Sequence, residues 1–176
     1  MSDRFIDQFV KLAGPARQMQ KGTLLFARGD AVDTMFLVAS GRVDLTRYHT
    51  NGNSVVLQSA SGPSVLAEAS LYADTYHCDA YLAEQSAIQH VSKMWFTSLL
   101  SGDPQLAELW ARHLAREVQS ARHQCEILSC KTVAERLDAF LVLEDHILPP
   151  RGRWKDIADR IGVSREALYR ELARRR

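Results

Sequence analysis

The sequence predicts an α+β chain: a sandwich or rolled-up barrel of short strands, then a long helix, then a helix-turn-helix. Three observations lead there. Between about Gln20 and Val91, short runs of β-forming residues alternate with turn residues. From Asp103 to about Ser129 the apolar spacing becomes helical, with no breaker. The segment "RWKDIADRIGVSREALYREL" then reads as helix, tight turn, helix.

The elements follow in order. Residues 2 to 13 form a short amphipathic helix with Phe5, Ile6, Phe9, Val10 and Leu12 on its apolar side. "TLLFARGD" is a strand that ends in a Gly-Asp turn, and "TMFLVASGRVDLTRY" is two strands around Gly41. "NGN" at 51 to 53 is the strongest hairpin signal in the chain. "SVVLQSA", "DAYLAEQ" and "SAIQHVS" continue the strands. Asp103-Pro104 starts the long helix, with Asp as N-cap and Pro in the first turn.

Within that helix Ala107, Ala111, Leu114, Val118, Ala121, Cys125 and Leu128 are spaced 4, 3, 4, 3, 4, 3. This is a heptad seam, and charged residues surround it. It predicts a homodimer; packing onto the helix's own domain is the other reading. A second helix, "TVAERLDAFLVLEDH", follows, and "LPPRG" separates it from the basic end. The predicted domains are 1–103, 104–130 and 131–176.

The chain has 176 residues and a net charge of +1. Residues 151–176 hold nine Arg/Lys against four Asp/Glu, a net of +5, which leaves −4 for the rest. A basic end on a mildly acidic body suits an anionic partner, nucleic acid above all, although a solvated helix face fits the charge equally. The N-terminus is too charged for a secretory signal, and no apolar run approaches the roughly 18 residues of a membrane span. Cys78, Cys125 and Cys130 are an odd, sparse set. The expectation is a cytoplasmic protein without a disulfide framework. His49, His77 and His90 are scattered, with no H-x-H spacing and no nucleophile–base pair, which argues against an enzyme.

In the final segment Ile157, Ala158 and Ile161 face inward, Gly162 makes the bend, Val163 plugs it, and Leu168 and Leu172 return to the core. Ser164 caps the second helix. Arg165, Glu166, Tyr169 and Arg170 are left outward as one patch near its N-terminal end, where a recognition helix touches base edges. Arg can take guanine O6 and N7, and Glu can accept from cytosine N4.

With these residues named, the chain resembles the Crp-Fnr family of bacterial transcription regulators. The resemblance runs through "LLFARGDAVDTMFLVASGRVDL", "LAEASLY" and "VSREALYR". It implies a cyclic-nucleotide-binding-type β roll (jelly roll), a dimerising helix and a helix-turn-helix. By position it implies base-reading roles for Ser164, Arg165, Glu166 and Arg170, on palindromic DNA with half-sites of the TGTGA type. It also admits RNA polymerase as a partner. The family's two-stranded wing would follow the recognition helix, whereas this sequence stops at Arg176. The expectation is a helix-turn-helix lacking the wing, with Arg174, Arg175 and Arg176 gripping phosphates instead.

The phosphate cassette departs from the family pattern. Ala67 stands where cyclic-nucleotide binders have Gly, Glu68 is kept, and Cys78-Asp79 stand where they have Arg-Ser. A carboxylate there repels a phosphate, so ordinary cyclic-AMP sensing is not expected. The candidate effector pocket is Glu68, Ser70, His77, Cys78 and Asp79, with Tyr72 and Tyr76 as further lining. His77 and Cys78 are residue types that bind haem iron, but neighbours on a strand point to opposite sides. Cys125, Cys130 and His123 leave a redox or metal site open beside the plainer reading of a buried seam thiol. No metal is assigned, and the cofactor is unknown. The alternative function is a ligand-binding or partner-regulating module that no longer binds DNA productively.

Overall fold

The computed structural model describes residues 4–48, 54–143, 147–148 and 150–175. The "NGN" hairpin tip and the end of the "LVLEDH" helix lie outside them. Two compact units divide the chain, 1–114 and 115–176.

The first unit is built on two antiparallel sheets. Its strands are β1 (Arg17–Met19), β2 (Leu24–Phe26), β3 (Thr34–Ser40), β4 (Arg42–Tyr48), β5 (Ser54–Ser61), β6 (Ser64–Leu66), β7 (Asp79–Leu82) and β8 (Ser86–Ser92). One sheet runs β1-β8-β3-β6 and the other β2-β7-β4-β5. Between them lies a closed core that includes Phe26, Phe36, Val38, Val43, Leu45, Leu66, Tyr76, Cys78, Leu82 and Ile88.

Period-2 alternation sends Phe36 and Val38 into this core and their neighbours Met35 and Leu37 to the opposite face. That face is covered by α1 (Arg4–Leu12), α2 (Lys93–Gly102) and the first turns of α3 (Pro104–Ser129), through Ile6, Phe9, Phe96, Leu106 and Trp110. Burial on both sides explains why "MFLV" is apolar without interruption. Each large side chain buried here contributes about 1.5–3 kcal/mol. Gln89, buried on the same face, donates its Nε2 to Val10 O at 2.8 Å and also to Gly14 O, so it satisfies carbonyls at the end of α1.

Gly41 joins β3 to β4 with φ +89, and a Cβ there would lie 2.7 Å from Gln85 O. Both conformation and space therefore demand glycine.

Three elements go beyond the sequence reading. Strands β1 and β6 are three residues each, too short to show a period. Helix α2 starts where β8 ends, capped by Ser92 Oγ, which accepts from Trp95 N at 3.1 Å. Leu12 is corrected: it is 53% exposed, because α1 ends there and its buried stripe runs through Ile6 and Phe9. By packing, the base of α3 belongs with the sheets, since Leu106 and Trp110 fill their outer core.

The second unit holds the rest of α3 with α4 (Val133–Leu143), α5 (Trp154–Arg160) and α6 (Arg165–Arg174). Its core is Ile127, Leu137, Phe140, Trp154, Ile157, Ala158, Ile161, Leu168 and Leu172. A capping box opens α4: Thr132 Oγ1 accepts from Glu135 N at 3.2 Å, and Glu135 Oε2 accepts from Lys131 N and Thr132 N at 3.0 Å. The hydrogen bonds from Thr132 and Lys131 hold the Glu135 carboxyl below the usual range.

Candidate functional site

The second unit assembles the predicted reading surface from local parts. Ala158 is fully buried in the small core that α5 and α6 share. The bend is closed by Ile161 N to Ile157 O at 2.9 Å and Val163 N to Ala158 O at 3.0 Å. Gly162 has φ +64, as a bend requires, and a Cβ there would lie 2.8 Å from Leu128 Cδ2. Ser164 is extended (φ −69, ψ 153), and its Oγ accepts from Ala167 N at 3.2 Å. This is an N-cap. Leu168 and Leu172 are buried on one side of α6.

The other side carries Arg165, Glu166, Tyr169 and Arg170, all exposed. A backbone N–H at Glu166 and the Ser164 hydroxyl hold the Glu166 carboxyl below its usual range, with Arg165 and Arg170 adding to this. The carboxylate is therefore an acceptor at neutral pH. Tyr169 is not free on both sides: its ring centroid lies 5.2 Å from that of Trp154, at an interplanar angle of 56°. Trp154 in turn lies 5.9 Å from Arg151 Cζ. Neither Trp154 nor Arg151 was singled out by the sequence, because the contact spans fifteen residues and has no period.

The basic end divides by role. Arg174 is 80% exposed and 3.4 Å from Glu171 Oε2. Arg175 corrects the reading of a loose phosphate grip. Its guanidinium donates to Asp138 Oδ1 at 2.5 Å, Glu171 Oε1 at 2.8 Å and Ala134 O at 3.0 Å. It ties α6 to α4. Arg176 lies outside the described residues.

Along α3, Ala111, Val118, Ala121, Cys125 and Leu128 are exposed on this chain, and Leu114 is half-buried against the first unit's outer core. Exposure of 49% for Val118 and 44% for Leu128 is high for apolar side chains on a regular stripe. A separate stripe of Leu106, Trp110, His113 and Ile127 is buried. The helix thus has one face packed within the chain and another open.

The candidate effector residues fall into two groups. Ala67 is buried and takes the left-handed conformation (φ 56, ψ 38), just before the 3-10 turn Glu68–Ser70. A side chain there costs about 1–2 kcal/mol. Ser70 is buried, and its Oγ lies 3.4 Å from His77 Nδ1. His77 is exposed while Cys78 is buried in the roll core, so the two do face opposite ways.

Burial pushes the Cys78 thiol up, as do the nearby charges of Asp79 and Glu68, against the pull of Arg47. Asp79 is on the other side of β7 from the core, where its Oδ1 accepts from Arg28 N at 2.7 Å. It braces the turn after β2. Sequence reasoning missed Arg47, which donates to His77 O at 3.0 Å and sits half-buried on β4. Tyr76 stacks on Phe26 at 3.8 Å and donates to Thr34 O. Burial, with Asp33 nearby, pushes its phenol up to about 12. Tyr72 is exposed, outside this core.

Among the described residues no group of three His, Cys, Asp or Glu is placed to hold a metal ion, and no helix is long and apolar enough to cross a membrane.

Comparison with known proteins agrees with this architecture. The model of the cyclic nucleotide-binding domain matches residues 16–103. The chain is 28% identical over 160 residues to the cyclic AMP receptor protein of Thermus thermophilus, covering 89% of this chain and 74% of that one. It is 26% identical over 137 residues to the transcriptional activator protein Anr of Pseudomonas aeruginosa, covering 78% of this chain and 55% of that one. It thus spans about half the length of that relative. The structure of FixK2 from Bradyrhizobium japonicum is similar in fold, with a TM-score of 0.70 and 20% identity over 90% of this chain and 83% of that one.

Proposed function

We propose, for a chain that belongs to the cyclic nucleotide-binding domain family and within it to the Crp-Fnr regulators, a homodimeric cytoplasmic transcriptional regulator that reads double-stranded DNA with α6. The observation that carries this is the Ser164-capped helix with Arg165, Glu166, Tyr169 and Arg170 exposed on one side and Leu168 and Leu172 buried on the other. Its N-terminal end offers base-edge donors and one acceptor, which suits the major groove. Arg174 adds a phosphate contact.

The open stripe of Ala111, Val118, Ala121, Cys125 and Leu128, with Leu114, is the dimer seam. Two copies then present two reading helices to palindromic half-sites of TGTGA type, about one DNA turn apart. RNA polymerase is the further partner of such a regulator. The roll is its sensor. The left-handed Ala67, the buried thiol of Cys78 and the Arg28-bound Asp79 make a different cassette from one that clamps cyclic AMP with an arginine. Its effector is of another kind, or is absent.

Selection from random duplexes at low salt tests the reading. The expected outcome is a single enriched palindrome. Binding with no sequence enrichment, or to a single half-site by a monomer in light scattering, overturns it.

A further inference from the structure

We propose that Arg136 is a positioning residue: one guanidinium joins the C-terminal end of α3 to the helix-turn-helix bend, so that the direction of α3 aims the reading helix. This rests on the function proposed above.

Arg136 Nε donates to Cys130 O at 2.9 Å and Nη2 to Leu128 O at 3.2 Å. Nη1 donates to Ile161 O and to Gly162 O, each at 3.1 Å. Leu128 lies in the last turn of α3 and Cys130 just after it, and Ile161 and Gly162 follow the end of α5. Terminal helix carbonyls have no partner within their own helix and carry partial negative charge. A cation set between two such ends is favourable to both.

Arg136 itself sits in the first turn of α4, where the helix's own dipole disfavours a cation. Its placement there serves these two neighbours and not α4. Only arginine offers donors in a rigid planar fork that reaches both ends at once; a lysine ammonium is a point.

The surroundings agree. The bend also lies against both partners: a Cβ on Gly162 would be 2.8 Å from Leu128 Cδ2 and 3.3 Å from Arg136 Nη1. Gln124 of α3 also donates to Arg160 O of α5. At the far end, Arg175 holds α6 to Asp138 and Ala134 of α4. The reading helix is thereby fixed to α3 through its leading bend and to α4 through its tail.

The test uses full-length Arg136→Lys and Arg136→Gln. Each is offered duplexes with the selected half-sites at their best separation and at separations changed by one or two base pairs. The unaltered protein is expected to prefer one separation by about tenfold or more. Both variants should keep the dimer, the helical content and the base preference within a half-site, while the separation preference drops below about threefold. An unchanged separation preference in a folded variant overturns the proposal. So does a parallel loss of helical content and of both preferences, since that makes Arg136 a stabiliser only.

A second measurement leaves Arg136 in place. Spin labels at Arg122→Cys and Ala173→Cys, with Cys125→Ser and Cys130→Ser, are read within one protomer diluted among unlabelled ones. One narrow distance distribution, unmoved by duplex, supports the clamp; a broad or shifting one overturns it. If the unaltered protein selects no palindrome, the proposed function fails and the distance measurement alone decides on Arg136.

Discussion

The helix-turn-helix and the cassette of the roll are both short stretches where backbone geometry sets up chemistry, and they treat the left-handed conformation in opposite ways. At the bend the residue with positive φ is Gly162; in the cassette it is Ala67, with φ 56. In the bend every local demand is met by a suitable residue: small Ala158, Gly162, capping Ser164 and buried Leu168. In the cassette a methyl sits where glycine is easiest, and the thiol of Cys78 is buried in the roll core. The difference teaches that the two ends of the molecule are under different constraints. The bend between α5 and α6 has at each position a residue that suits its geometry. The turn before Glu68–Ser70 holds an alanine in the strained left-handed conformation.

The largest stability effect that could break this contrast is at Gly162. Gly162→Ala forces a side chain into left-handed backbone, costing about 1–2 kcal/mol of stability, while the exposed Leu128 side chain can turn aside. Thermal unfolding followed by circular dichroism measures it, and a neutral result would remove the bend from the comparison.

Next come Arg165→Ala and Arg170→Ala. Each should lose about 1–3 kcal/mol of discrimination between bases at one position of the half-site. Stability should stay within about 0.5 kcal/mol, since both side chains are exposed. Binding titrations on single-base variants of the site read the loss.

Ser164→Ala removes the cap and should cost about 1 kcal/mol. The same region has a pH signature. The Glu166 carboxyl is held low in the folded chain, so its contribution is complete above the unfolded value near 4.3 and is lost as pH falls through the lower folded value. Glu166→Gln should flatten that acid limb of a stability profile.

The smallest change is expected at Ala67→Gly. Relief of left-handed strain is offset by the lost methyl and by the greater freedom of glycine in the unfolded chain, so stability moves by less than about 1 kcal/mol. A loss as large as that at Gly162 would mean that the cassette, too, is held tightly by its present residue.

What the sequence made legible follows from range. Caps, bends and helical periods act over a few residues, so Asp103, Gly162, Ser164, Leu168 and Leu172 could be read directly. The roll was readable from its turn residues, and Gly41 marked one correctly. Strands β1 and β6 left no trace because three residues carry no alternation. The packing of Leu106 and Trp110 at the base of α3 was not legible, since they meet partners as distant in sequence as Phe9. Arg136 and Arg175 look like surface charge in a sequence. Their acceptors are carbonyls and carboxylates up to forty-one residues away, which no pattern records.

Strand β3 gives the molecule a shared wall. Phe36 and Val38 belong to the core between the sheets, and Met35 and Leu37 to the bed on which Phe96, Leu106 and Trp110 rest. Because packed interiors have no slack, a larger side chain at Phe36 or Val38 would press on this wall. The root of the long helix lies one strand's thickness away, on the far side of that wall.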